Sequence, residues 1–209
     1  FDLLDMLPRS MFAIVASELC ASFLVVKRNG KSSIVRARPV TSISSIKNFA
    51  KQYLAENSAK ALMAGVKYCV ENAFSPPEIA VALLFHFAPQ SGGYGMTKPC
   101  LNPKMTIETN LRYAQNLDVR YEGGGQKIHI KPDLYWPKHK LIIEYDSAQF
   151  HDGNIAYGSD LQRRSAFGKS GYTVVNVSKD QLRSVEAFHD VGQNVLRICG
   201  KRFSNYSAS

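Results

Sequence analysis

The segment Leu141-Ile142-Ile143-Glu144-Tyr145-Asp146 sets three apolar residues directly before two acids that are one residue apart. Strand side chains alternate between faces, so Glu144 and Asp146 share a face and project together. The apolar run argues that this strand is buried, and a buried carboxylate needs a partner. Upstream, Lys127–Trp136 alternates as a second strand, with Pro137-Lys138-His139 as the turn of a hairpin. Pro132-Asp133 therefore precedes Glu144 across that hairpin by eleven residues, counted from Asp133. With the pivot near Pro137-Lys138, Asp133 is expected opposite about residue 142 and diagonal to Glu144, bringing three carboxylates to one small area. Like charges that close repel unless a cation or a proton intervenes. A hard ion such as Mg²⁺ takes oxygen ligands, usually one or two carboxylates plus phosphate. It lowers the pKa of bound water and offsets charge on a phosphoryl group, which is phosphodiester-hydrolase chemistry. The competing reading is structural: Asp133 caps a turn while Glu144 and Asp146 pair with surface lysines. The residue types alone leave both open.

Helical patterns surround the hairpin. Ser159–Lys169 reads as a helix closed by Gly171, Tyr172–Ser178 as a third strand, and Lys179 to about Ile198 as a closing amphipathic helix. Ser75-Pro76-Pro77-Glu78 opens another helix over Ile79–Phe87, with Ser75 as N-cap and Glu78 in the capping-box position. Ser44–Leu54 and Ala59–Phe74 carry helical spacing, and Phe12–Val26 fits either a strand or a buried helix. Arg28-Asn29-Gly30-Lys31 is a turn, Ser32–Val40 passes as a strand, and Ala88–Pro103 reads as loop. The fold class is α/β, a mixed β-sheet flanked by helices. Residues 1–74 are expected to form a mainly helical N-terminal extension and residues 75–209 the core domain.

At 209 residues and 45% hydrophobic content, the chain can bury a substantial core, which excludes a disordered or fibrous polymer. Ser17, Glu18 and Ser22 interrupt the longest apolar stretch, which falls short of the roughly 18–20 residues of a bilayer span. No secretory leader pattern is present, and the start at Phe1 rather than Met suits a trimmed or partial product. Cys20, Cys69, Cys100 and Cys199 form neither a CxxC pair nor a zinc spacing, so reduced thiols in the cytoplasm are expected. Lys and Arg outnumber Asp and Glu by 26 to 17, a net +9 that favours an anionic partner, nucleic acid first. Divided at residue 126 the excess is even, +5 over residues 1–126 and +4 over 127–209, so it does not locate the binding surface. Gly92-Gly93-Tyr94-Gly95 lacks the Gly-Lys-Ser/Thr of a phosphate-binding loop and reads as a flexible loop. Tyr135, Trp136 and Tyr145 suit base stacking, although core packing is the default for strand aromatics.

Several further motifs follow in order: Lys131-Pro132-Asp133-Leu134-Tyr135-Trp136-Pro137, Leu141 to Asp146, Phe150-His151, Asp160-x-x-Arg163, and Gly171-Tyr172 before a strand. Together they resemble the PD-(D/E)XK nuclease superfamily, in particular the small endonuclease-like proteins related to very short patch repair endonucleases. The resemblance spans roughly residues 127–180 and implies a restriction-endonuclease-like core. It implies Mg²⁺ or Mn²⁺ held by Asp133 and Glu144, with Asp146 as a third ligand or water-positioning group. Glu78 matches the acid that many members carry on their first core helix. One departure stands out: the motif lysine would fall at position 146, where this chain has Asp146. Lys131, Lys140 or Gln149 are the substitutes within the segment. His151 is read as a general acid/base or phosphate ligand, against a hydrogen-bonded strand-end histidine. Asp160 and Arg163 share a helical face, either as a plain pair or orienting the site and contacting phosphate.

The resulting expectation is a metal-dependent endonuclease acting on DNA in the cytoplasm, in repair or in defence against foreign DNA. Two alternatives stand beside it: a catalytically inactive nucleic-acid-binding protein with a nuclease-like fold, and a toxin–antitoxin-like regulatory protein. The N-terminal helices are open to a homodimer or a protein partner.

Overall fold

The computed structural model describes residues 9–53, 55, 57–109, 119–122, 125–146 and 165–202. By contact the chain divides after Leu101 into two compact units. The helix on which the sequence reading opens its second domain is thereby packed within the first unit.

The first unit holds α1 (Arg9–Leu19), β1 (Phe23–Arg28), β2 (Lys31–Arg36), α2 (Ile43–Lys51), α3 (Asn57–Val66), α4 (Pro76–His86) and a short β3 (Cys100–Leu101). The ambiguous stretch at 12–26 is thus both alternatives in succession, helix and then strand. Ala50, Leu62 and Val66 form a core with Phe12, Ile43, Ile46 and Met63 packed against it. Gly65 lets the Phe12 ring lie directly on α3, because a Cβ at that position would collide with the ring. α4 starts as its sequence demands: Ser75 accepts the Glu78 N–H, with prolines in the first turn. Ile79, Val81, Ala82, Leu83 and Phe85 are all buried, as expected of a helix that is apolar on every side. α3 is shorter than its spacing suggested. Cys69, Val70 and Ala73 are buried without being helical.

β1 and β2 form an antiparallel hairpin from Phe23↔Arg36 to Arg28↔Lys31. Its two-residue turn, Asn29-Gly30, has φ of 51° and 74°. Positive φ at both positions is the turn geometry that matches strand twist and is favoured by Asn-Gly. The strand expected over Ser32–Val40 is Lys31–Arg36.

The second unit contains β4 (Met105–Thr109), β5 (Val119–Glu122), β6 (Gly125–Ile130), β7 (Leu134–Trp136), β8 (Leu141–Asp146), β9 (Thr173–Ser178), α5 (Lys179–Arg183) and α6 (Val185–Ile198). One antiparallel sheet has the order β4-β6-β5. In another, β7 pairs antiparallel with β8, and β8 pairs parallel with β9. The single strand expected over Lys127–Trp136 is therefore two strands in different sheets. Pro132, which has no N–H to give to a ladder, sits at the break. A parallel pair requires a crossover, and residues 165–169 supply a helical part of it. Ile142, Ile107, Ile128, Ile130, Ala166 and Phe167 make the core between these elements. The other face of the β8 sheet is apolar too, with Leu134, Trp136, Leu141, Ile143 and Val177 buried. That is why β8 reads as a continuous apolar run rather than as an alternation. The closing helix is broken once: Ser178 caps α5 in a capping box with Gln181, and Ser184 caps α6. α/β with mixed sheets and helices is the architecture. No helix among the described residues is long and apolar enough to cross a membrane.

Candidate functional site

The β7–β8 register is Leu134↔Ile143, Tyr135↔Ile142 and Trp136↔Leu141. Continued by one residue, it sets Asp133 level with Glu144, not with residue 142. The difference comes from the connection. Pro137–His139 form a 3₁₀ turn and Lys140 adopts a left-handed φ of 46°, so four residues join the strands. The shift is by an even number of residues, so every side chain keeps its face. On the parallel side the register pairs Glu144 with Asn176 and Asp146 with Ser178. Asp133, Glu144 and Asn176 thus form a polar row across three strands. It lies next to an apolar row of Tyr135, Ile142 and Val174 on the same face, in which Ile142 is a buried core residue and the other two, half-buried, pack against that core. Asn176 escaped the sequence reading. Its signal was one amide side chain in the otherwise apolar middle of Thr-Val-Val-Asn-Val-Ser.

The carboxylate of Asp133 is fixed by the chain itself. The backbone N–H of Tyr145 donates to its Oδ2 at 2.8 Å. The backbone carbonyl of Asp133 accepts the N–H of Asn102 at 3.0 Å. A side chain thus supplies the acceptor where β7 has stopped offering backbone. Asp133 and Glu144 are half-buried, whereas Asp146 is exposed at the end of β8. Beside the row, Gly168, Tyr172, Val174 and Asn176 line an open pocket of about 420 Å³.

The three carboxylates do not gather as expected. Among the described residues, no group of three His, Cys, Asp or Glu side chains is placed to hold a metal ion. Asp133 is turned to the Tyr145 amide, and Asp146 stands about 7 Å further along the strand than Glu144, from two residues of rise. What remains is a pair, Asp133 and Glu144, with the Asn176 amide alongside. All three offer oxygen, a hard donor set that suits Mg²⁺ or Mn²⁺ and not a thiophilic ion.

Glu78 serves the start of α4. Its Oε2 accepts the Phe74 N–H at 2.8 Å, its Oε1 the Ser75 hydroxyl at 2.9 Å, and it is buried. Lys140 stands at the opposite end of β8 from the acids, about 13 Å from Glu144 by strand rise. Lys131, exposed and two residues ahead of Asp133, is the nearer of the two lysines along the chain. Gln149, His151, Asp160 and Arg163 lie outside the described residues. Tyr145 faces away from the row, and burial pushes its phenol up from its ordinary pKa. Nearby Arg183 opposes that shift, while Asp146 and Asp180 add to it.

Comparison with protein-family models, curated proteins and solved structures gives no match.

Proposed function

We propose that this chain is a metal-dependent endonuclease of DNA, built on a restriction-endonuclease-like core and working in the cytoplasm. The supporting observation is the register that sets Asp133 level with Glu144 on one sheet face, with Asn176 beside them. The order β7, β8, helical crossover, parallel β9 and closing helix supports the same reading. Asp133 and Glu144 would hold Mg²⁺ or Mn²⁺. When bound, such an ion supplies an activated water and stabilises charge on a phosphoryl group. The chain's own contributions are positional. The Tyr145 amide holds the Asp133 carboxylate in place, buried Ile142 next to Glu144's row gives the site an apolar floor, and Asn176 is set to orient Glu144 or a substrate oxygen. Lys131 supplies positive charge on the Asp133 side.

A second reading, a nucleic-acid binder without cleavage, draws on two observations. Asp146 occupies the position of the motif lysine, and Lys140 stands at the far end of β8. Supercoiled plasmid with Mg²⁺ or Mn²⁺ decides between them. Nicking or linearisation by the wild type that Asp133→Ala and Glu144→Ala each abolish supports the nuclease. Salt-dependent DNA binding by an inert wild type supports the binder.

A further inference from the structure

The positive charge that looks even on either side of residue 126 is concentrated by segment. Residues 19–55 carry seven Lys or Arg (Lys27, Arg28, Lys31, Arg36, Arg38, Lys47, Lys51) and no Asp or Glu. The rest of the chain is nearly balanced, 19 basic against 17 acidic residues. The first half of that segment holds the β1–β2 ribbon, which carries Lys27, Arg28, Lys31 and Arg36. We infer that this ribbon is a duplex-DNA-binding arm, with its basic tip on phosphates and its stem in a groove. The inference deepens the proposed function by naming the surface that holds the nucleic acid.

Three features of the ribbon carry it. First, it is open on both faces: Leu24 and Val35 on one, Val25 and Ile34 on the other, are 40–53% exposed. An isolated two-stranded ribbon is marginal in water, and a flat partner would cover one face. A groove has two walls, and the major groove, about 12 Å wide, admits a two-stranded ribbon. Apolar stem residues there meet thymine methyls.

Second, the register sets Arg28 directly opposite Lys31, with Lys27 the preceding residue on β1. Like charges facing each other across a hairpin repel. An anion seated between them turns that repulsion into attraction. Ser32 and Ser33 add hydroxyl donors at the same end.

Third, the root of the ribbon is fixed, so the tip projects from a firm base. Phe23 is buried, the Ser22 N–H donates to the Ala73 carbonyl at 2.8 Å, and the Arg36 guanidinium lies 3.3 Å from the centroid of the Phe74 ring.

The test is fluorescence anisotropy of a labelled 24-base-pair duplex in EDTA from 50 to 300 mM NaCl, using the full chain. Lys27→Ala/Arg28→Ala/Lys31→Ala should weaken binding on the order of 10²-fold at 0.1 M salt and flatten the log–log salt slope by about 3. Leu24→Ala/Ile34→Ala should weaken it about tenfold without changing the slope. Lys60→Ala/Lys104→Ala/Lys201→Ala, three exposed lysines elsewhere, should change it less than about threefold. Circular dichroism checks that each variant is folded. Wild-type affinity in the tip variant overturns the inference. So does a wild type that binds no duplex, whether or not sedimentation then shows the ribbon joining two copies. Because the assay excludes metal, the two readings fail separately. Ribbon-dependent binding without plasmid cleavage defeats the nuclease alone, and cleavage by a tip variant of undiminished affinity defeats the ribbon alone.

Discussion

β1 (Phe-Leu-Val-Val-Lys-Arg) and β8 (Leu-Ile-Ile-Glu-Tyr-Asp) have similar outlines, an apolar opening followed by charge at the end. Their surroundings are opposite. β8 lies between β7 and β9, and Leu141, Ile142 and Ile143 are fully buried. Among the described residues β1 pairs with β2 alone, and Leu24 and Val25 are half exposed. Apolar content therefore does not decide burial here; the number of neighbouring layers does. The sign of the terminal charge differs as well. Acids stand where an oxygen-ligating cation would be held, and bases stand where a polyanion would be met.

The largest effect that would sharpen this contrast is catalytic. Asp133→Ala or Glu144→Ala should lower metal-dependent plasmid cleavage on the order of 10³-fold. The Lys27/Arg28/Lys31 variant should retain its turnover at saturating DNA, measured as initial nicking rate against protein concentration. In stability, Ile142→Ala should cost about 2–5 kcal/mol in urea unfolding, since it empties a layer packed on both sides. Leu24→Ala should stay within about 0.5 kcal/mol. Equal costs would break the comparison. Gly65→Ala should cost about 1–3 kcal/mol, because the new methyl meets the Phe12 ring. Ser178→Ala, which removes the N-cap of α5, should cost about 1 kcal/mol.

A pH experiment separates buried from accessible thiols. Burial, reinforced by Glu71, pushes Cys20 up to about 11; burial also raises Cys69 to about 11, with nearby Lys98 opposing the rise. The thiolate is thus scarce at neutral pH, and neither residue should react with a disulfide reagent at pH 8 before unfolding, whereas exposed Cys100 should. The raised pKa favours the protonated thiol in the folded state. Stability should therefore fall as pH rises from about 9 towards 11, where the unfolded chain has already released those protons.

How much of this was legible depended on how local the determinant was. The cap of α4, the apolar run of β8, the strand at Thr173–Ser178 and the common face of Glu144 and Asp146 follow from residues within a few positions of one another. The break between β6 and β7 does not. β6 is held by β4 and β5, and alternation continues through Lys131-Pro132-Asp133 as though one strand crossed it. The hairpin register depended on Lys140 entering a left-handed conformation, which no residue preference at a lysine announces. α3 ended early because Cys69 and Val70 found burial without helical geometry. In the site, the acids were visible but Asn176 was not, because its meaning comes from a parallel partner 32 positions away at Glu144.

The hydrogen bond from the Tyr145 amide to Asp133 gives this chain a built-in reporter. Solvent exchange at that one amide is slowed further while the carboxylate faces it. A backbone resonance can therefore follow the acid's orientation without a label, a substrate or turnover. Titrating Mg²⁺ while watching the Tyr145 signal would show whether a cation draws the carboxylate away or binds it where it already lies.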